Sequence, residues 1–533
     1  MKKRGMGFYV RKVMPFIIFQ IVADFVCTLL ASMYPYLQKL LFDSDQKLTV
    51  IFWYAVFHVL DVLINYVGMR ATFAQGIGIE RAMKHDFFKS VVRQPKKEFV
   101  KHDIGTYLSW QSNDLAAVEM DYVQPMVDIV RSINMFLIYG VVIFGLVDWR
   151  IGLVLFLSSI VTVAGPKLFG DKMASARSVH QEKIAEYTGV VKDLLEGFAL
   201  VNSRTRRQFI GVQDEKLEEM CEKRKLYGKA KSASIAVNDM AVRVIRIASF
   251  AAAGILLAKG EITIGTCVAT FGYVDSFLSP IQSILYDVSA IQSVAEVKRK
   301  VMDFLAEREP DGREKADVLN EAIRLDNVSV HFDGFSMEHF SYSFEKGKKY
   351  ALTGHSGSGK STVMNLLTGD LEAEEGEVLI DGVPLAKLDV SELVSCVHQG
   401  EHVFRAGFWD NVTVFGAYPD DLLCELKRRL GNPVLDAVAG RTEADNCQDM
   451  SGGERQTLGF LRMLLAHTQI ILMDEPFSAV DPFTREVYLD YLLKEMDSET
   501  TLIMVTHDLS ERLKEFDEVI WMEHGGIKKD FIS

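Results

Sequence analysis

The sequence predicts a multidomain membrane protein: an all-α, six-helix transmembrane domain followed by an α/β domain built around a phosphate-binding loop. Three observations predict it. Six apolar segments crowd the first 285 residues, each at or near the length of about 20 residues that a helix needs to cross a bilayer. A polar stretch then gives way to short apolar strands that alternate with helices and are punctuated by Gly and Asp turns. Within that second part, "YALTGHSGSGKST" (350–362) sets a glycine-rich turn between a strand and a helix.

Bulk composition agrees with a membrane part joined to a soluble part. The chain has 533 residues, too many for one ordinary core, and is 49% hydrophobic while still 25% charged. A net charge of -13 argues against nucleic acid as a partner. Cys27, Cys221, Cys267, Cys396, Cys424 and Cys447 are scattered without metal-ligand spacing and read as reduced structural residues. The basic start, "MKKRGMGFYVRK", precedes an apolar run with no small-residue cleavage site, so it reads as a cytoplasmic tail rather than a signal peptide.

The membrane segments lie near 13–37, 48–69, 126–147, 150–168, 241–259 and 264–285. Lys2, Lys3, Arg4, Arg11 and Lys12, with no acid among them, place the tail inside. The connections "FDSDQ", "VDW" and "AKGEITIG" are then external and short. Two long internal connections, about 70–125 and 169–240, are rich in Lys and Arg. Both read as helix: Ile184, Tyr187, Val191, Leu194, Leu195 and Phe198 recur at helical spacing. After the sixth segment, "IQSVAEVKRKVMDFLAEREP" continues as an amphipathic helix that stops at Pro310, and "DGREKADVLNEA" reads as linker. The expected division is 1–305 membrane domain with cytoplasmic extensions, 306–321 linker, and 322–533 nucleotide-binding domain. Asp24, Asp61, Asn65, Asp128, Arg131, Arg246 and Asp275 fall within membrane segments; such residues line a substrate path, pair internally or sit near an interface.

The loop at 354–361 fits G-x-x-x-x-G-K-[ST] with Gly354, Gly359, Lys360 and Ser361. Bare backbone lets successive N–H groups wrap a phosphate chain at a helix N-terminus, Lys360 adds a cation near the outer phosphates, and the Ser361 hydroxyl is a Mg²⁺ ligand. "IILMDE" (470–475) then supplies acid: a buried apolar strand ending in Asp474, to hold Mg²⁺ through water, and Glu475, to polarise an attacking water.

With these elements in order, the C-terminal part resembles the nucleotide-binding domain of ATP-binding cassette (ABC) transporters. Together with the six-helix half, the chain resembles an exporter-type half-transporter, which makes the second domain an α/β P-loop NTPase (ABC ATPase). The resemblance implies that Gly354, His355, Ser356, Gly357, Ser358, Gly359, Lys360, Ser361 and Thr362 hold ATP. It implies that Ser451, Gly452 and Gly453, in "DMSGGERQ", bind the nucleotide held by a second cassette. By the same resemblance Phe332 stacks on adenine, Gln399 ligates Mg²⁺, Asp481 closes the "SAVD" loop at the nucleotide, and His507 contacts the γ-phosphate. Glu475, His507 and Lys360 form the expected catalytic set. "KGEITIGTCVATFGYVDSFLSPIQSI", with Pro280, is similar to an exporter's last external turn and sixth helix. "HDIGTYLSWQSNDLAAVE" and "LLEGFALVNSRTRRQ" lie where coupling helices are expected. Three departures stand out: "TEADNCQDM" lacks the usual Gly-Glu, Glu454 replaces the more usual Gln, and the sequence ends with "HGGIKKDFIS", without the expected C-terminal helical extension.

The expected function is ATP- and Mg²⁺-dependent export of a peptide, lipid or amphiphilic small molecule. A second half-transporter, identical or different, completes the machine, and no nucleic acid takes part. The expected location is the bacterial inner membrane, multi-pass, with the N-terminus and ATPase in the cytoplasm. An importer on the exporter scaffold, as for siderophores, and a non-transporting membrane ATPase regulator are the alternatives. A soluble P-loop kinase is excluded by the six membrane segments.

Overall fold

The computed structural model describes residues 5–164, 170–306, 313–332, 334–397, 400–419, 447–506 and 512–528. The chain divides into two units, one of residues 1–93 and 102–308, the other of 94–101 and 309–533.

The first unit is helical. Among the described residues, four helices are long and apolar enough to cross a membrane: Met6–Asp43, Lys47–Val92, Ile104–Val147 and Arg206–Ala258. The predicted segment at 150–168 falls in the shorter helix Trp149–Ala164, and residues 165–169 lie outside the described set. The predicted sixth segment falls in Ile264–Ser293. Helices end where polar residues take over the backbone. At Thr263 the hydroxyl caps the Ile264–Ser293 helix by accepting from Thr266 N, and it donates to Asp43 Oδ2 at 2.6 Å. Gly265 is required there, because a Cβ would lie 2.4 Å from the Lys39 carbonyl oxygen. The Tyr273 hydroxyl, fully buried, donates to the Ser32 carbonyl at 2.7 Å and ties the same two helices deeper down.

The predicted amphipathic continuation is a separate helix, Ala295–Leu305, set off by a break at Val294 (φ -100°, ψ 0°). It buries Val301 and Leu305 in a cluster with Phe87, Tyr107 and Leu115. The stretch beginning "HDIGTYLSW", expected at a coupling helix, instead opens the long Ile104–Val147 helix of this unit. The residues that group with the second unit are 94–101, just upstream: Lys96 pairs with Asp370 at 2.5 Å and Lys97 with Glu372 at 2.6 Å. Charge complementarity, not apolar periodicity, marks that segment.

The second unit carries three sheets among the described residues. A largely parallel sheet runs β12 (Gly526–Ile527), β11 (Glu518–Glu523), β4 (Lys349–Gly354), β10 (Thr501–Val505), β9 (Ile470–Asp474), β8 (Val394–Val397). An antiparallel sheet runs β3 (Phe335–Glu345), β2 (Ala322–Phe332), β5 (Glu375–Ile380), β6 (Val383–Pro384). A short pair joins β1 (Glu314–Lys315) to β7 (Leu388–Asp389). Residues 313–321, expected in the linker, thus pair with this unit. The Asp381 carboxylate accepts from the backbone N–H of Asn320, Glu321 and Ala322 at 2.7–3.2 Å. Strands β4, β9 and β10 are buried on both faces, as their unbroken apolar runs predict.

Candidate functional site

Strand β4 lies between β10 and β11 in parallel register, so its C-terminal end opens at the sheet edge where α/β folds bind ligands. The turn that follows uses left-handed backbone at Gly357 (φ 78°) and Gly359 (φ 104°). At Gly359 a Cβ would meet the Phe335 ring at 2.8 Å, whereas no described residue lies within 4 Å of a Cβ built at Gly357. The loop is therefore packed from below and open above. It is pinned by Gly525 N donating to the Ser358 carbonyl at 3.1 Å.

Lys360 opens the helix Lys360–Leu367 and is only 6% exposed. Its Nζ donates to the Gly354 and His355 carbonyls at 2.9 and 3.0 Å. Burial lowers its pKa from the ordinary lysine value, against the opposing pull of Glu475 and Asp474. The Ser358 hydroxyl is buried with no hydrogen-bond partner among the described residues. A buried cation, an orphaned hydroxyl and an open glycine cradle fit a polyphosphate.

Asp474 ends β9, and its Oδ2 lies 3.4 Å from the Ser361 hydroxyl. The pair offers the hard oxygen donors that suit Mg²⁺. Glu475 follows with left-handed backbone (φ 48°), its N–H donating to the Val505 carbonyl at 3.1 Å. A non-glycine residue there is uncommon, and such strain concentrates at functional positions. Phe332 ends β2, half-exposed, with its ring 6.4 Å from Phe335 and nearly parallel to it. The phosphate loop, Ser361, Asp474 and Glu475 thus gather at the ends of neighbouring elements, with the Phe332–Phe335 pair alongside through Phe335. Gln399 and His507 lie outside the described residues.

Ser451 caps the helix Gly452–Ala466 in a reciprocal box: its hydroxyl accepts from Glu454 N at 3.3 Å, and Glu454 Oε2 accepts from Ser451 N at 2.7 Å. The two glycines pack on the "SAVD" loop of the same chain. A Cβ at Gly452 would stand 3.2 Å from Ala479 Cβ, and one at Gly453 only 2.8 Å from the Ala479 carbonyl oxygen. Asp481 caps the helix Pro482–Asp490 by accepting from Thr484 N at 3.1 Å, and hydrogen bonds from Thr484 hold its carboxyl below the usual range.

Two residues that the motifs did not reveal hold this region together. Gln456, buried, donates from Nε2 to the Ser478 hydroxyl at 2.9 Å and accepts from Ala479 N at 2.8 Å. Arg462 donates to the Asn411 and His402 carbonyls, both at 2.6 Å, and so fixes the segment that follows Gln399. A lone arginine in the apolar run "TLGFLRMLLA" was the available signal for the second.

The family comparisons agree with this geometry. Residues 13–286 match the model for the ABC transporter transmembrane region, and residues 337–478 match that for ABC transporter. The chain is 26% identical over 475 residues, 84% of its own length and 79% of the relative's, to the ATP-dependent lipid A-core flippase of Pasteurella multocida. It is 25% identical over 500 residues, 89% and 84% of the two lengths, to an uncharacterized ABC transporter ATP-binding protein of Bacillus subtilis. A membrane half and an ATPase half on one polypeptide, each matching its own part of the same family, identify the chain as a member of the ABC transporter family, an exporter-type half-transporter whose ATPase is coupled to transport.

Proposed function

We propose that the chain moves a lipid or lipid-like amphiphile out of the inner leaflet of a bacterial inner membrane, as one half of a dimer driven by ATP. The observation that carries the chemistry is the meeting of Lys360 and Ser361 with Asp474 and Glu475 at the ends of β4 and β9. The named relatives carry the substrate class, since several are lipid flippases from bacteria.

In this reading the loop 354–362 wraps the phosphates and Lys360 leaves its two carbonyl partners for the outer phosphates. Phe332 offers a ring face to the adenine. Ser361 and Asp474, with Gln399, would hold Mg²⁺, which when bound would neutralise charge on the outer phosphates. Glu475 orients the attacking water, and His507 steadies the γ-phosphate. Ser451, Gly452 and Gly453 present a helix N-terminus to the nucleotide of the other chain, where the helix dipole favours an anion. ATP stabilises the closed pair only by its preference for that state, and hydrolysis is a matter of positioning and electrostatics.

The test is paired ATPase and fluorescent-lipid translocation in liposomes containing the full chain. Glu475→Gln is expected to lose both activities while retaining ATP binding. Lipid movement that persists in Glu475→Gln would remove the pump reading, and wild-type ATPase activity without any lipid movement would leave the non-transporting regulator.

A further inference from the structure

The Ile104–Val147 and Ile264–Ser293 helices flank a cavity of about 270 Å³ lined by Asp128, Arg131, Gln282, Ser283, Tyr286 and Asp287. Its charges do not balance. Arg131 Nη2 lies 3.2 Å from Asp128 Oδ1, yet that oxygen has no hydrogen bond of proper geometry. Asp287 is 6% exposed, and its Oδ2 is buried with no hydrogen-bond partner among the described residues. Asp24, on the Met6–Asp43 helix, feels both Arg131 and Asp128, and its own Oδ2 is likewise unpartnered. Among the described residues, two carboxylates and one guanidinium line the cavity, and Asp24 adds a third carboxylate near them. Such an excess beside a membrane span is costly unless a counter-charge arrives.

A metal ion is a poor fit, because no group of three acidic, His or Cys side chains among the described residues is placed to hold one. Asp128 and Asp287 line a space instead of converging on a point, which suits a diffuse positive charge. Tyr286, 75% exposed, adds a ring face of the kind that binds ammonium groups.

We infer that this cavity is the head-group subsite for a cationic amphiphile, an alkylammonium whose charge sits between Asp128 and Asp287. The inference rests on the exporter reading only for the purpose of the site; binding itself is measured without ATP.

The experiment uses the full chain in nanodiscs and three probes below micellar concentration: decyltrimethylammonium, decyl phosphate and decyl maltoside. Binding is followed by tryptophan fluorescence, and basal ATPase serves as the check on folding. Saturable binding of the ammonium probe is expected, weakened about tenfold by either Asp287→Asn or Asp128→Asn, with decyl maltoside unaffected. If one variant misfolds, the other and Tyr286→Leu carry the test. Tighter binding of decyl phosphate, no saturable binding of the ammonium probe, or unchanged ammonium affinity in folded variants each overturns the assignment. The last two results are also what a partner subunit supplying the missing positive charge, or protonated carboxylates, would produce.

Discussion

Gly453 shows how a single missing side chain serves packing before it serves a ligand. A Cβ at that position would press to 2.8 Å from the Ala479 carbonyl oxygen, a backbone atom that does not swing away. Gly453→Ala is therefore expected to destabilise the nucleotide-free protein, by about 1–3 kcal/mol as for other overpacked sites. A thermal melt without ATP checks this; an unchanged melt with reduced ATPase would instead assign the glycine to ligand clearance alone. Glu454 is a second case. Its carboxylate closes the capping box on Ser451 N, a bond the Gln amide oxygen also makes. Glu454→Gln should leave the melt nearly unchanged, whereas Glu454→Ala should cost about 0.5–2 kcal/mol, the range typical of a lost cap. At this scale, the residues legible in the sequence are those of contiguous motifs: Lys360, Ser361, Asp474, Glu475 and Ser451. Gln456 and Asp287 were not legible. Gln456 meets Ser478 more than twenty residues away, and Asp287 lies just past the apolar segment by which membrane residues were recognised.

At the scale of elements, apolar runs and breakers forecast the strands and most helices. They missed what one segment does for another far along the chain. The stretch 313–321 is polar and looks like linker, yet it is held by β7 and by Asp381 at the end of β5. Burial of Asp381 raises its pKa, but the backbone N–H groups of Asn320, Glu321 and Ala322, with the Asn320 amide, outweigh that and hold the carboxyl below its ordinary 3.8. A carboxyl depressed on folding contributes stability that is present above its unfolded pKa and lost as pH falls through the folded one. Asp381→Ala should thus lower the stability of the ATPase half at pH 7, by about 0.5–1.5 kcal/mol, the net worth of ordinary hydrogen bonds to donors that water can still reach. The difference from wild type should shrink below about pH 4. Equal melts at pH 7 would show that the pairing of β1 with β7 suffices by itself.

Each chain supplies one phosphate loop and one Ser451–Gly453 loop, and in a head-to-tail pair these belong to different sites. That arrangement makes a prediction that only the assembled molecule can satisfy. Lys360→Ala disables the phosphate loop, and Ser451→Arg disables the loop offered to the other chain. Each variant alone is expected to lack ATPase activity, because in its own dimer every site carries the defect. Mixed in equal amounts before reconstitution, the two variants form some dimers in which one site collects both defects and the other collects neither. Random pairing puts half of the dimers in that class with one of two sites intact, so recovery of about a quarter of the wild-type sites is expected if the sites act independently. Recovery with a smaller turnover would mean that one intact site works more slowly without a second. Wild-type chain that hydrolyses ATP while the mixture stays silent would mean that both sites must be intact or that both loops of a site lie on one chain. A wild-type chain that is itself inactive until another polypeptide is added would make the partner a different half-transporter, with the same loops contributing across the interface.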